Sequence, residues 1–139
     1  AKLVFSCFRP RAANQWALVV EAAVGSGSPA PAGYAPGPFG LADSDFTGDM
    51  LARAGWSDAA AQAVDFRYVA GAGADPVEDA LDFFSRIGPA ARAIADAAPD
   101  RRQAMRDSVR NALGGHVADG AVTFGAGAWI WTATAGEPA

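Results

Sequence analysis

The chain has 139 residues, 51% of them hydrophobic, and a formal net charge of -4, which sets a ceiling of one domain and excludes disorder by composition. The acidic balance argues against nucleic acid and against an anionic membrane surface, since both ask for a basic patch, and leaves small neutral or cationic partners open. The single Cys7 excludes an internal disulfide, and no apolar run approaches the roughly 20 residues of a membrane-spanning helix.

The run Leu3-Val4-Phe5-Ser6-Cys7-Phe8 reads as a strand buried on both faces, the environment of an inner strand in an α/β sheet. Nothing precedes it to supply covering layers, and Ala1 stands where a Met would open a whole protein. The expectation is therefore the C-terminal half of a larger domain, cut before one of its inner strands. No secretory pattern is present, because this stretch is short and leads into Arg9-Pro10-Arg11, so the default compartment is the cytoplasm. Asn14 is placed to cap a helix over 16–24, with Trp16, Val19, Val20 and Ala23 on one face.

Residues 25–40 are Gly, Ser, Pro and Ala around Tyr34, a composition expected to form a mobile loop. Asp43 or Ser44 then caps a helix carrying Phe46, Met50, Leu51 and Ala54, closed by Gly55 and Trp56. Over 62–69, Val64, Phe66 and Tyr68 alternate with Ala63, Asp65 and Arg67, which predicts a strand with one wet face or an edge position. Asp75-Pro76-Val77-Glu78 is a helix start, with Asp75 as N-cap, Pro76 as first residue and Glu78 as partner in a capping box. Val77, Ala80, Leu81, Phe84 and Ile87 form one apolar stripe ended by Gly88-Pro89, and helices over 90–97 and 100–113 carry Ile94, Met105, Val109 and Leu113. Asp119-Gly120 marks a turn. The closing Ala128-Trp129-Ile130-Trp131-Thr132-Ala133 has large residues on both faces and predicts a central strand, with Trp129 and Trp131 in the core. The patterns sort the strands into the order first, third, second, with the third antiparallel in the middle and helices on both faces, one end of a mostly parallel α/β sheet.

That sheet end resembles the C-terminal half of class I S-adenosylmethionine-dependent methyltransferases of the small-molecule type. The resemblance rests on Lys2 to Pro10 followed by Asn14-Gln15-Trp16, on Gly37-Pro38-Phe39-Gly40-Leu41-Ala42-Asp43, on Leu51-Ala52-Arg53-Ala54-Gly55-Trp56, on Arg86-Ile87-Gly88-Pro89-Ala90 and on the closing strand. It implies a Rossmann-like sheet whose fifth, seventh and sixth strands are present, the seventh antiparallel between the other two, with 1–139 as a single partial domain and 75–114 as a helical cover on the substrate side. It implies a small-molecule methyl acceptor and S-adenosylmethionine in the intact enzyme, with the methyl group displaced from the sulfonium by an oxygen, nitrogen or carbon nucleophile. The Gly-rich turn and acidic residue that hold the cofactor belong to the half not encoded here, so the chain alone is expected to bind none. By the same resemblance, Arg9, Asn14 and Trp16 near the end of the first strand are substrate-binding candidates, joined by Phe83 and Arg86 on the flank of the helical stripe.

Other candidates have simpler readings. Gly71-Ala72-Gly73-Ala74-Asp75 lies between a strand and a helix, yet Pro76 holds the third glycine position of a dinucleotide fingerprint, so a flexible turn explains it better than a phosphate site. His116 has no clustered ligand or orienting partner and reads as a surface residue. Cys7 reads as a small buried filler, and the charged face of Asp96, Asp100, Arg101, Arg102, Arg106, Asp107 and Arg110 as a solvated one. No metal site is expected. A noncatalytic module is the alternative: an apolar strand with an open edge through Leu3, Val4, Phe5 and Cys7 would pair with a second copy into a homodimer or higher oligomer.

Overall fold

A computed structural model describes residues 1–26, 34 and 36–136; half of the expected loop over 25–40 lies outside the described residues. The chain divides into two compact units, one of residues 1–13, 30–66 and 127–139, the other of 14–29 and 67–126. The class is α/β. The strands are β1 (Lys2–Phe8), β2 (Trp56–Gly71), β3 (Val117–Ala118) and β4 (Ala121–Ala135), arranged in the order β1-β4-β2 with β3 also paired to β4. The order of the three long strands is the one their patterns predict, whereas the short β3 has no sequence signal. β2 and β4 run to 16 and 15 residues, well beyond the predicted spans. Their extensions are rich in Ala and Gly, which carry no alternation of large side chains but are held by the ladder.

In the first unit, β1 runs antiparallel to β4 with Phe5 opposite Trp131 and Cys7 opposite Trp129. The Arg9 N–H donates to the Gly127 carbonyl at 2.9 Å and the Ala135 N–H to the Ala1 carbonyl at 2.8 Å. Those two bonds fix the phase of the ladder: Leu3, Phe5 and Cys7 exchange bonds with β4, while the N–H groups of Lys2, Val4 and Ser6 point away from it. At the far end the Gly136 N–H reaches the Gly55 carbonyl at 2.8 Å, and the Ser57 hydroxyl the Thr134 carbonyl at 3.2 Å. These bonds set the start of β2 beside the end of β4.

Two expectations about burial change here. β1 is not buried on both faces: Leu3, Phe5 and Cys7 are half-buried, but Val4 is 66% exposed. β4 is central by order, yet over its part in the first unit only the Trp131 and Ala133 face is interior, with Trp129 half-buried and Ile130, Thr132 and Thr134 exposed, whereas in the second unit Val122, Phe124 and Ala126 of the alternate residues are buried. The runs are apolar on both faces, but within this unit only one face is covered, by α2 (Ser44–Arg53). Asp43 caps α2 by accepting from the N–H groups of Asp45 and Phe46 at 3.0 and 3.1 Å. The buried face is Thr47 and Leu51, with Phe46 and Met50 half-buried and Ala54 exposed, and Gly48 faces the Trp131 ring, 3.6 Å from where a Cβ would stand. Phe5 stacks on the same indole at 6.2 Å between centroids.

The second unit packs α1 (Gln15–Ala23), α3 (Pro76–Arg86), α4 (Pro89–Asp96) and α5 (Pro99–Gly114). Each of the last three begins on a proline, whose missing N–H costs nothing at a helix start. Of the predicted stripe, Ala80, Leu81 and Phe84 are interior, together with Trp16, Ala17, Val20, Ile94, Val109 and Leu113, whereas Val77 is half-buried and Ile87, just past the end of α3, is 60% exposed. Trp16 is stacked between Tyr68 and Phe84, at 5.3 and 6.1 Å between centroids. Asp119 and Gly120, both at positive φ of 52° and 74°, make the two-residue turn joining β3 to β4. A primed hairpin turn requires that geometry, and Asp-Gly supplies it. Gly71 ends β2 so close to α3 that an added Cβ would lie 2.1 Å from the Pro76 carbonyl oxygen.

The charged face of α5 is not merely solvated. Arg102 donates to the Ile94, Ala95 and Ala97 carbonyls at 3.0 to 3.1 Å, satisfying the last acceptors of α4, whose end carries no glycine cap. Arg106 reaches the Ser85 hydroxyl at 2.8 Å. Arg110 binds Glu78, which draws that side chain away from the expected capping box, and Asp75 alone caps α3 through the Glu78 N–H at 3.1 Å. Replacing Arg102→Ala should lower stability by about 1–2 kcal/mol, with Arg102→Lys recovering little because a single ammonium cannot span the three carbonyls. Thermal denaturation of the two variants beside the wild type checks this.

Candidate functional site

The segment after the undescribed stretch is pinned to the sheet by its own backbone. The Leu41 carbonyl accepts from the Cys7 thiol at 3.5 Å and the Thr47 hydroxyl at 3.2 Å, and the Ala42 carbonyl accepts from the Trp129 indole at 2.9 Å. The pin draws on β1, α2 and β4, all within the first unit. Gly37, at a φ of 115°, turns the chain into this segment, a conformation that a side chain would resist. Phe39 then lies 5.9 Å from Phe8, under the Arg11 guanidinium.

Beside this pinned segment is a cavity of about 600 Å³ at the carboxyl end of β1. Ser6, Cys7 and Phe8 form one wall and Gly37, Pro38, Gly40 and Leu41 another, with Phe66 of β2, Ala128 of β4 and Tyr34 completing the lining. Among the described residues, no side chain in that lining is charged. Phe66 is 39% exposed. Burial pushes the Cys7 thiol above its ordinary pKa of 9.0, so it stays protonated at neutral pH and is a poor nucleophile.

The five substrate-side candidates are divided. Arg9 belongs to the first unit, where its guanidinium pairs with Asp65 at 2.6 Å and lies over the Trp129 ring at 5.5 Å. Gly127 makes room for it: an added Cβ would come within 3.1 Å of the guanidinium. Asn14, Trp16, Phe83 and Arg86 belong to the second unit. Asn14 stands at the start of α1 without capping it; its side-chain oxygen instead accepts from the Trp16 indole at 3.1 Å. The two residues are 0% and 3% exposed, so their contacts are interior packing. Phe83 is half-buried edge-on to Phe84 at 5.2 Å, and Arg86 is exposed and paired with Asp82 at 2.9 Å. None of the five lines the cavity.

The remaining candidates take structural places. The amide end of the Gly71–Asp75 turn is held by carboxylates, Asp75 on the Glu78 N–H and Asp79 on the Ala72 N–H at 2.9 Å, which repel a phosphate from that end of α3. His116 is half-buried on Phe124, 4.5 Å between centroids. Among the described residues no cluster of His, Cys, Asp and Glu could hold a metal ion, and no helix is long and apolar enough to cross a membrane.

No protein-family model matches the chain, and a search of curated proteins finds no match.

The raised pKa of Cys7 sets the direction of its pH dependence. In the unfolded chain the thiol ionises near its ordinary value, in the fold only above it, so stability falls as pH rises from the unfolded pKa toward the folded one. Alkylation by iodoacetamide at pH 8 should be slower than for a free cysteine and should keep accelerating above pH values at which the free thiol levels off, on the order of pH 9–10. A rate equal to that of free cysteine would place Cys7 in solvent.

Proposed function

We propose that this chain is the acceptor-side, C-terminal portion of a class I S-adenosylmethionine-dependent methyltransferase acting on a small molecule. The strand order carries the reading. β4 lies between β1 and β2 and antiparallel to β1, the arrangement that the resemblance implies for strands equivalent to the fifth, seventh and sixth of that family. The cavity supports it further, since open α/β sheets place ligands at the carboxyl ends of their strands.

S-adenosylmethionine would supply an electrophilic methyl group to the intact enzyme. The described residues do not fit it: the family's Gly-rich turn and acidic residue have no counterpart among them, and the Gly71–Asp75 turn that they do contain is packed against α3 at Gly71. The part left to this chain is to align the acceptor and exclude water around it. Calorimetric titration of the isolated chain should therefore show no saturable cofactor binding. Binding tighter than about 1 mM, worth roughly 4 kcal/mol, would overturn the assignment of the cofactor site to another part of the enzyme.

A second reading, self-association through β1, is favoured by the exposure of Val4 and by the outward N–H groups beside it. Val4→Lys is the variant suited to test it, because Phe5 is committed to Trp131. Sedimentation equilibrium at micromolar concentration should find a dimer that Val4→Lys dissociates; a folded monomer indifferent to the substitution would end this reading.

A further inference from the structure

Resting on the proposed function, we infer that the cavity at the carboxyl end of β1 takes an uncharged, planar aromatic acceptor carrying a hydroxyl group. The volume, about 600 Å³, is that of a site for a small organic molecule. Its chemistry selects the class. Phe8, Phe66, Pro38 and Leu41 offer apolar and aromatic walls, and among the described residues the lining contains no side chain able to neutralise an ionic ligand. A carboxylate or ammonium entering it would lose hydration with no ion pair to replace it. An aromatic ring loses little and gains offset or edge contacts with the two phenylalanines. Gly37 and Gly40 let backbone rather than side chains form one wall, which suits a flat molecule.

Polar groups in the lining are few. The Ser6 and Tyr34 side chains bring hydroxyls that can donate or accept, matching a phenolic oxygen. The Cys7 thiol is bonded to the Leu41 carbonyl and held protonated by burial, so it forms part of the wall and does not attack the ligand.

The test uses 2-naphthol as probe and the chain labelled for amide nuclear magnetic resonance. Saturable shifts are expected at Ser6, Cys7, Phe8, Gly40, Leu41, Phe66 and Ala128, with 2-naphthoate and 2-naphthylmethylammonium each bound about tenfold more weakly or worse. Phe66→Ala should weaken naphthol binding about tenfold while Phe66→Tyr largely retains it, and Phe66 is exposed enough for both variants to fold. Shifts located elsewhere, no saturation up to about 1 mM, or equal binding of the charged analogues would overturn the inference. The two proposals fail separately. Naphthol binding here by a protein that never methylates a phenol would retain the site and remove the methyltransferase; methylation of a charged acceptor with no naphthol binding would do the reverse.

Discussion

Everything in the first unit depends on β4 being the strand between the other two. Because it runs antiparallel to β1 in the stated register, Trp129, Trp131 and Ala133 share a face with Cys7, Phe5 and Leu3. That face is where α2 packs and where the Trp129 indole and the Cys7 thiol reach the Leu41–Ala42 backbone. A slip of β4 by one residue would turn both tryptophans to the opposite face and leave the Ala42 carbonyl without the Trp129 indole. The cavity wall would then lose that hold.

The element pattern was legible in the sequence where a physical signal is local. Asp43 and Asp75 cap their helices, Asp119-Gly120 makes the hairpin turn, and the middle of the apolar stripe, Ala80, Leu81 and Phe84, is interior, although its ends at Val77 and Ile87 are not. The strand order also followed from apolar patterning, although the patterning overstated burial: β1 and β4 carry large residues on both faces, and only one face is covered in the first unit. What escaped were side chains with a choice of partner. Asn14 takes the Trp16 indole instead of its own helix, Glu78 takes Arg110, and Arg102 closes the end of α4. Helix periodicity sees such residues only as polar, because their partners are set by packing of elements distant in sequence.

The site was less legible than the fold for a related reason. Arg9, Asn14 and Trp16 are conspicuous residue types near the end of the first strand, but an arginine with a carboxylate and an indole at hand, or an indole between two aromatic rings, is committed elsewhere. The cavity is built instead from Ser6, Phe8, Pro38 and Phe66, none of which resembles a chemical group at work. Its one advance signal was the Gly37-Pro38-Phe39-Gly40 segment, whose glycines and proline specify a backbone shape rather than a reaction.

The central claim, that β1 lies against β4 in this register and pairs with no other strand among the described residues, is most directly tested by amide hydrogen exchange at a concentration where the chain is monomeric. The Leu3, Phe5 and Cys7 amides, directed at β4 by the ladder phase set at Arg9 and Ala135, should be strongly protected, while those of Val4 and Ser6 should exchange close to the rate of an unstructured chain. Equal protection of all five amides would mean that the outer edge is already paired, and protection of Val4 and Ser6 alone would contradict the register on which the tryptophan face, the pinned segment and the cavity all rest.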